Sequence, residues 1–187
     1  MDPFELLAVE PRFDLDFGAA EARHRELSSA LHPDRHVRGS SVERRRALSR
    51  AIEVNEALRI LKDPVRRAEA LLERYGMVAS ESEAVASPDF LMEVLELREE
   101  LAQAQRRHDV AAIQRLVENV RGRESAVEQR LIQAFRSLSA GALEANTADG
   151  GSPPIGATRE RIAKTLGELR FFRRLVGEAH AILDDLD

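Results

Sequence analysis

Between Ile113 and Phe135 the apolar residues Ile113, Leu116, Val117, Val120, Val127, Leu131 and Phe135 recur in steps of three, four and seven, with only Leu116 and Val117 adjacent. No proline interrupts the stretch. That spacing places all seven on one narrow side of an α-helix. A helix of such length with a single apolar stripe must lay it against other helices, so a helical bundle is the architecture to expect. The rest of the chain agrees. Ala, Leu, Glu and Arg dominate, aromatic residues make up only 4%, and β-branched runs are scarce, which favours an all-α fold over the 187 residues.

Punctuation divides the chain. Asp2-Pro3 opens a short helix to about Ala8, with Phe4, Leu7 and Ala8 on one side, and Pro11 ends the segment. A second helix is expected from about Gly18 to Leu31, with Ala20, Leu27 and Leu31 inward and Arg23, His24 and Arg25 outward. Pro33 stops it. Gly39-Ser40-Ser41 supplies a turn and a cap for a long helix to about Leu61, whose spaced residues are Leu48, Ala51, Ile52, Asn55 and Leu58. Asp63-Pro64 starts another, which ends at Gly76.

Residues 1–76 therefore read as one small helical unit, residues 77–87 as a linker, and residues 88–187 as a three-helix bundle. Its helices are expected at about 88–106, 109–139 and 157–186, with a flexible Gly/Ser/Pro-rich insert near residues 141–157.

Several function classes fall away. The chain has no cysteine, so disulfides, thiolate catalysis, structural zinc of the usual type and cysteine-held iron–sulfur clusters are not expected in it. No cofactor or metal is expected. MDPFELLAVEP has neither a basic leader nor a long apolar core, and no apolar run approaches the roughly 20 residues that span a bilayer. A cytoplasmic protein is expected, with neither membrane nor nucleic acid among its partners.

Charge is uneven beneath the net value of −5. Residues 23–67 carry twelve Lys/Arg against six Asp/Glu, whereas residues 81–100 carry seven acidic residues and only Arg98. Two surfaces of opposite sign point to two different partners.

His32-Pro33-Asp34 lies between the second and third helices. Histidine beside a carboxylate can serve acid–base chemistry, but no nucleophile motif, phosphate cradle or carboxylate cluster completes a reaction. His24, His32 and His36 close no metal shell. The plainest reading is a turn in which proline breaks and aspartate caps.

The setting of the tripeptide says more. A short helix beginning Asp2-Pro3-Phe4-Glu5-Leu6-Leu7, a helix ending at His-Pro-Asp, a basic loop, Ile52-Glu53-Val54-Asn55-Glu56-Ala57, Leu61-Lys62-Asp63-Pro64 and Arg66-Arg67-Ala68 follow in order. This resembles the J-domain of DnaJ-type co-chaperones over residues 1–76. The resemblance implies that His32, Pro33 and Asp34 contact a DnaK-type chaperone and promote ATP hydrolysis there, making the chain an activator and no enzyme itself. It also implies a basic second-helix face, for which Arg23, Arg25 and the adjacent Arg35 are candidates, interrupted by Glu21 and Glu26. Proline stiffens such a loop and aspartate offers two acceptors to an arginine.

In Phe90 to Leu101, taking about 100° per residue with Phe90 as zero, Val94, Leu97 and Leu101 fall at roughly 40°, 340° and 20°. Opposite that seam, at roughly 100° to 240°, lie Leu91, Met92, Leu95, Glu96, Glu99 and Gln103. A bundle helix needs one buried stripe, so the second, apolar and acidic, awaits a partner or another part of the chain. In the last helix Ile162, Leu166, Leu169, Phe172, Val176 and Leu183 share a face, while Phe171 points away from its centre with Leu175 and Ile182 nearer to it.

Phe90-Leu-Met-Glu, one residue, then Leu95-Glu-Leu-Arg-Glu-Glu-Leu101, with Arg67-Ala68-Glu69, Leu71-Leu72 and Leu169-Arg170-Phe171, resembles the HscB family of J-type co-chaperones over nearly the whole chain. That resemblance implies a role in iron–sulfur cluster assembly. A C-terminal bundle would bind an IscU-type scaffold through Leu91, Met92, Leu95, Glu96, Glu99 and Phe171, and deliver it to an HscA/DnaK-type chaperone. Gln103 stands where the enterobacterial form has an acidic residue, and the cysteine module of some eukaryotic members is missing. A helical adaptor with a degenerate J-like half is the alternative.

Overall fold

The computed structural model describes residues 1–36, 40–77, 87–145 and 155–186. Every regular element among them is helical. The chain forms two compact units, Met1–Val78 and Ala79–Asp187. No helix among the described residues is long and apolar enough to cross a membrane.

In the first unit, α1 is Pro3–Leu6, α2 Phe17–Ala30, α3 Ser41–Lys62 and α4 Pro64–Arg74, with a 3-10 turn over Pro33–His36. Each start has a local cause. Asp2 caps α1 by accepting from the Phe4 and Glu5 amides, and Asp16 caps α2 at Gly18 and Ala19. The second helix thus begins one residue before the expected Gly18. Ser40 and Glu43 form a reciprocal capping box on α3, and Asp63 caps α4 with Pro64 in its first turn. At the end of α4, Gly76 has φ +67°, and the Met77 and Gly76 amides bond the Leu72 and Glu73 carbonyls at 2.9 Å each. This is a Schellman closure, which needs a left-handed residue and therefore suits glycine.

Phe4, Leu7, Phe13, Val54, Leu61, Leu71 and Leu72 fill the core of this unit. The buried side of α3 is Ala47, Val54, Ala57 and Leu61, whereas Leu48 and Ile52, counted in its periodic set, are 57% and 60% exposed. The sequence reading of that stripe is therefore corrected. Alanines at 20, 47 and 57, all buried, let α1, α2 and α3 pack closely, while bulk comes from Phe4, Leu7 and Leu61. Periodicity weighted toward large residues selects the wrong side of such a helix.

Arg67 is buried, donates from Nη1 to the Leu61 carbonyl at 2.6 Å, and sits 4.6 Å and 5.1 Å from the Phe13 and Phe17 ring centroids. It closes the end of α3 while its flat guanidinium packs as part of the core.

Glu56 accepts from Arg59 at 2.8 Å and from Arg66 at 2.6 Å, and these two hydrogen bonds, Arg59's first, lower its pKa from 4.5 to about 2. A depressed carboxylate contributes stability that is present above pH 4.5 and lost as pH falls toward 2. Glu56→Gln should therefore lower stability at neutral pH and flatten the acid limb of the unfolding curve in that window. Equal acid slopes for the two proteins, followed by circular dichroism, would show that the pair contributes nothing.

In the second unit α5 is Pro88–Arg106, α6 Val110–Ala145 and α7 Ile155–Leu186. Ser87 caps α5 ahead of Pro88. The insert expected at 141–157 is shorter: residues 141–145 continue α6 and 155–157 already belong to α7. Residues 146–154, like 78–86 of the expected linker, lie outside the described residues. Ile113, Leu116, Val120, Val127, Leu131, Ile162, Leu166, Leu169 and Leu175 form the bundle core, so the stripe of α6 lies inward, against α7.

Candidate functional site

Each unit presents one candidate surface. In the first, Leu31 closes α2 and the chain enters the 3-10 turn at Pro33, with the Arg35 amide bonding the His32 carbonyl at 3.0 Å. The turn packs against α3. The His32 side chain is 60% exposed and that of Asp34 87%.

The His32 Nδ1 lies 3.3 Å from the Asp34 amide and 3.5 Å from the Asp34 carboxylate. An Nδ1 accepting from the amide cannot also donate to the carboxylate, so the two contacts exclude each other at any one moment.

The basic surface of α2 is partly neutralised. Arg23 pairs with Glu26 at 3.0 Å, and Lys62 of α3 pairs with Glu21 at 2.6 Å. The Lys62 hydrogen bond, then its charge, lowers the Glu21 pKa. Arg25 and Arg35 are exposed. The interruption expected from Glu21 and Glu26 thus takes the form of two ion pairs. His24 does not point freely outward: its Nε2 lies 2.8 Å from Asn55 Oδ1, tying α2 to α3.

The second surface is on α5. Leu97, Leu101 and Ala104 are buried, and Phe90 and Val94 half-buried. On the other side Leu91, Met92 and Leu95 are 51%, 59% and 62% exposed, next to exposed Glu96 and Glu99. Gln103 donates to Glu99 at 3.3 Å, so the amide is tied to the acidic margin. Three large apolar side chains within about one turn, held open to water beside carboxylates, can accept an apolar partner with basic flanks.

Phe171 does not join this exposed row. It is 7% exposed, with its ring edge-on to Phe90 and Phe172 at 5.7 Å to each and Arg98 5.8 Å from its centroid. The sequence reading of Phe171 as part of an open patch is corrected. The seam residue Phe90 covers it, and Leu175, on the same side of α7, is also buried. Both stripes of α7 are used inside the bundle, whereas the second stripe of α5 is not. Arg98 is a contributor the sequence reading missed: it spans from Phe171 to Glu178, at 3.7 Å. A lone arginine in an acidic stretch was the available signal.

A family model described as the HSCB C-terminal oligomerisation domain matches residues 86–180. A co-chaperone protein HscB homolog of Ralstonia nicotianae is 39% identical over 185 residues, 98% of this chain and 95% of that protein. Another, of Azoarcus sp., is 33% identical over 187 residues, 100% and 96%. Among solved structures, chaperone HscB from Vibrio cholerae superposes with a TM-score of 0.76 at 28% identity, covering 100% of both chains. Human co-chaperone protein HscB gives a TM-score of 0.78 over 97% of this chain and 81% of that one, and at 21% identity it supports the fold alone. An all-helical chain matched across its full length by co-chaperones at these identities belongs to the HscB co-chaperone family.

Proposed function

We propose that this chain is a cytoplasmic co-chaperone of iron–sulfur cluster biogenesis that binds an IscU-type scaffold and delivers it to an HscA/DnaK-type chaperone whose ATP hydrolysis it stimulates. Residues 1–76 act as the J-domain and residues 88–187 as the scaffold-binding domain. His32, Pro33 and Asp34, with Arg23, Arg25 and Arg35, meet the chaperone; the chain performs no hydrolysis of its own. Leu91, Met92, Leu95, Glu96 and Glu99 meet the scaffold, and Phe171 supports them from within the bundle.

The observation that carries this reading is the open row of Leu91, Met92 and Leu95 beside two carboxylates. An isolated bundle has no use for such a row, and leaving three large apolar groups in water forgoes roughly 1.5–3 kcal/mol for each that could be buried.

The experiment is steady-state ATP hydrolysis by the chaperone with chain and scaffold added singly and together. The rate with both should exceed the sum of the single additions. A second reading, a helical adaptor with a degenerate J-like half, draws on the Arg23–Glu26 and Lys62–Glu21 pairs, which remove charge from the basic surface. It requires that the chain leave the ATPase rate unchanged.

A further inference from the structure

In the second unit α6 and α7 run on past the start of α5. Three cross-contacts fix the levels: Arg130 Nη2 donates to Glu168 at 2.6 Å, Arg173 lies 3.8 Å from Glu124, and Glu93 of α5 pairs with Arg123. Residue numbers therefore rise along α6 as they fall along α5 and α7. With equal rise per residue, Pro88, where α5 begins, comes level with about residue 128 of α6. Past that level α6 and α7 border a groove of about 460 Å³. The α6 side carries Gln129, Arg130 and Gln133, the α7 side Arg161 and Lys164, and the buried Thr165 and Glu168 complete the lining.

The buried polar groups of this groove are already satisfied. Thr165 Oγ1 donates to the Arg161 carbonyl at 2.8 Å, and Glu168 holds Arg130. Glu168 is the only carboxylate among the lining residues, so three cations face one anion that is already engaged. Arg161 and Lys164 are exposed and make no ion pair among the described residues. The Arg130 side chain is braced by Glu168 yet 56% exposed, which lowers the ordering cost of a further bond from its guanidinium. Gln129 and Gln133, exposed and one turn apart, each offer a donor and an acceptor.

We propose that this groove binds an extended acidic segment of a protein partner, with carboxylates on Arg161, Lys164 and Arg130 and backbone on the two glutamine amides. The lining favours that chemistry over other anions. It lies in the interior of both helices, where backbone amides are bonded within the helix, so a compact phosphate finds no amide cradle. No aromatic ring stands among the lining residues, so nucleobases find no stacking platform. From Arg161 to Glu168 the helix rises about 10 Å, room for about three extended residues. Lys164 and the level of Arg130 are about 6 Å apart along the axis, close to the roughly 6.5 Å between side chains i and i+2 of an extended chain. Alternate acidic residues thus match the cations. No residue of α5 takes part, so the groove is separate from the open row of Leu91, Met92 and Leu95, and neither the chaperone nor the scaffold contact is needed for it.

The test titrates a fluorescent heptapeptide of alternating Ser and Glu with the full chain at low ionic strength, read by anisotropy. The parent should bind it with a dissociation constant below about 1 mM, and a peptide of alternating Ser and Gln should not bind. Arg161→Gln/Lys164→Gln should weaken binding about tenfold and Lys164→Gln alone about threefold, both melting like the parent because the side chains are exposed and unpaired. Arg107→Gln/Arg115→Gln makes the same change in net charge on exposed residues near the α5–α6 turn and should leave the affinity within about twofold. No binding by the parent, or equal losses in the two double variants, overturns the proposal. So does tripolyphosphate that binds more tightly than the peptide, which would mark a site for compact anions. Phosphatidylglycerol vesicles that retain the parent and release Arg161→Gln/Lys164→Gln, with no peptide binding, would assign the groove to a membrane surface. A parent that sediments as a dimer, and a groove variant that does not, would assign it to a second copy; either result overturns the proposal.

Discussion

Asp34→Asn should abolish stimulation of the chaperone ATPase while leaving the chain folded. The carboxylate is 87% exposed and lies 3.5 Å from His32 Nδ1, and an ion pair so open to water contributes little to the fold of the free protein. Asparagine keeps the size and the turn but removes the charge and one acceptor, and with them a bidentate bond to an arginine. A hydrogen bond to a charged group contributes about 1.5–3 kcal/mol, between roughly tenfold and a hundredfold in binding. Far-UV circular dichroism and the melting temperature should match the parent. Full stimulation by a folded Asp34→Asn chain would remove the turn from the contact.

The second large effect belongs to α5. Leu91→Ala with Leu95→Ala should weaken scaffold binding by about 2–4 kcal/mol, roughly thirtyfold to a thousandfold by calorimetry. Both side chains are more than half exposed in the free protein, so stability should shift by no more than about 0.5 kcal/mol each. Phe171→Ala serves as the contrast. Buried against Phe90 and Phe172, it should cost about 3–5 kcal/mol of bundle stability and weaken binding only through the fold. Scaffold affinity unchanged in the Leu91/Leu95 variant would remove the row from the site. Loss of Glu96 and Glu99 should act chiefly on the association rate and its salt dependence.

The sequence made the helices legible because their boundaries are written in local chemistry. Asp2, Ser40, Asp63 and Ser87 cap the helices that follow them, and Gly76 closes α4. The open face of α5 was legible for a similar reason: one helix cannot bury two opposite stripes unless something lies on both sides, and among the described residues only one side is covered. The misreadings share a different cause. Burial of Phe171 depends on Phe90, some eighty residues earlier, and the inward face of α3 on alanines whose role is to permit close approach. Tertiary partners decide such cases, and a single helix wheel does not contain them. The composition of residues 141–157 suggested a loop, yet both of its ends are helical; the long helices on either side extend into it from their packed regions.

One molecule is expected to join scaffold to chaperone. The direct measurement is chaperone ATPase in the presence of scaffold and an equimolar mixture of the two variant chains, Asp34→Asn and Leu91→Ala/Leu95→Ala. Each variant lacks one surface and retains the other. If delivery requires both surfaces on the same chain, the mixture should stay far below the parent, at the rate of the Leu91/Leu95 variant without scaffold coupling. Recovery of the parent's cooperative rate by the mixture would contradict it.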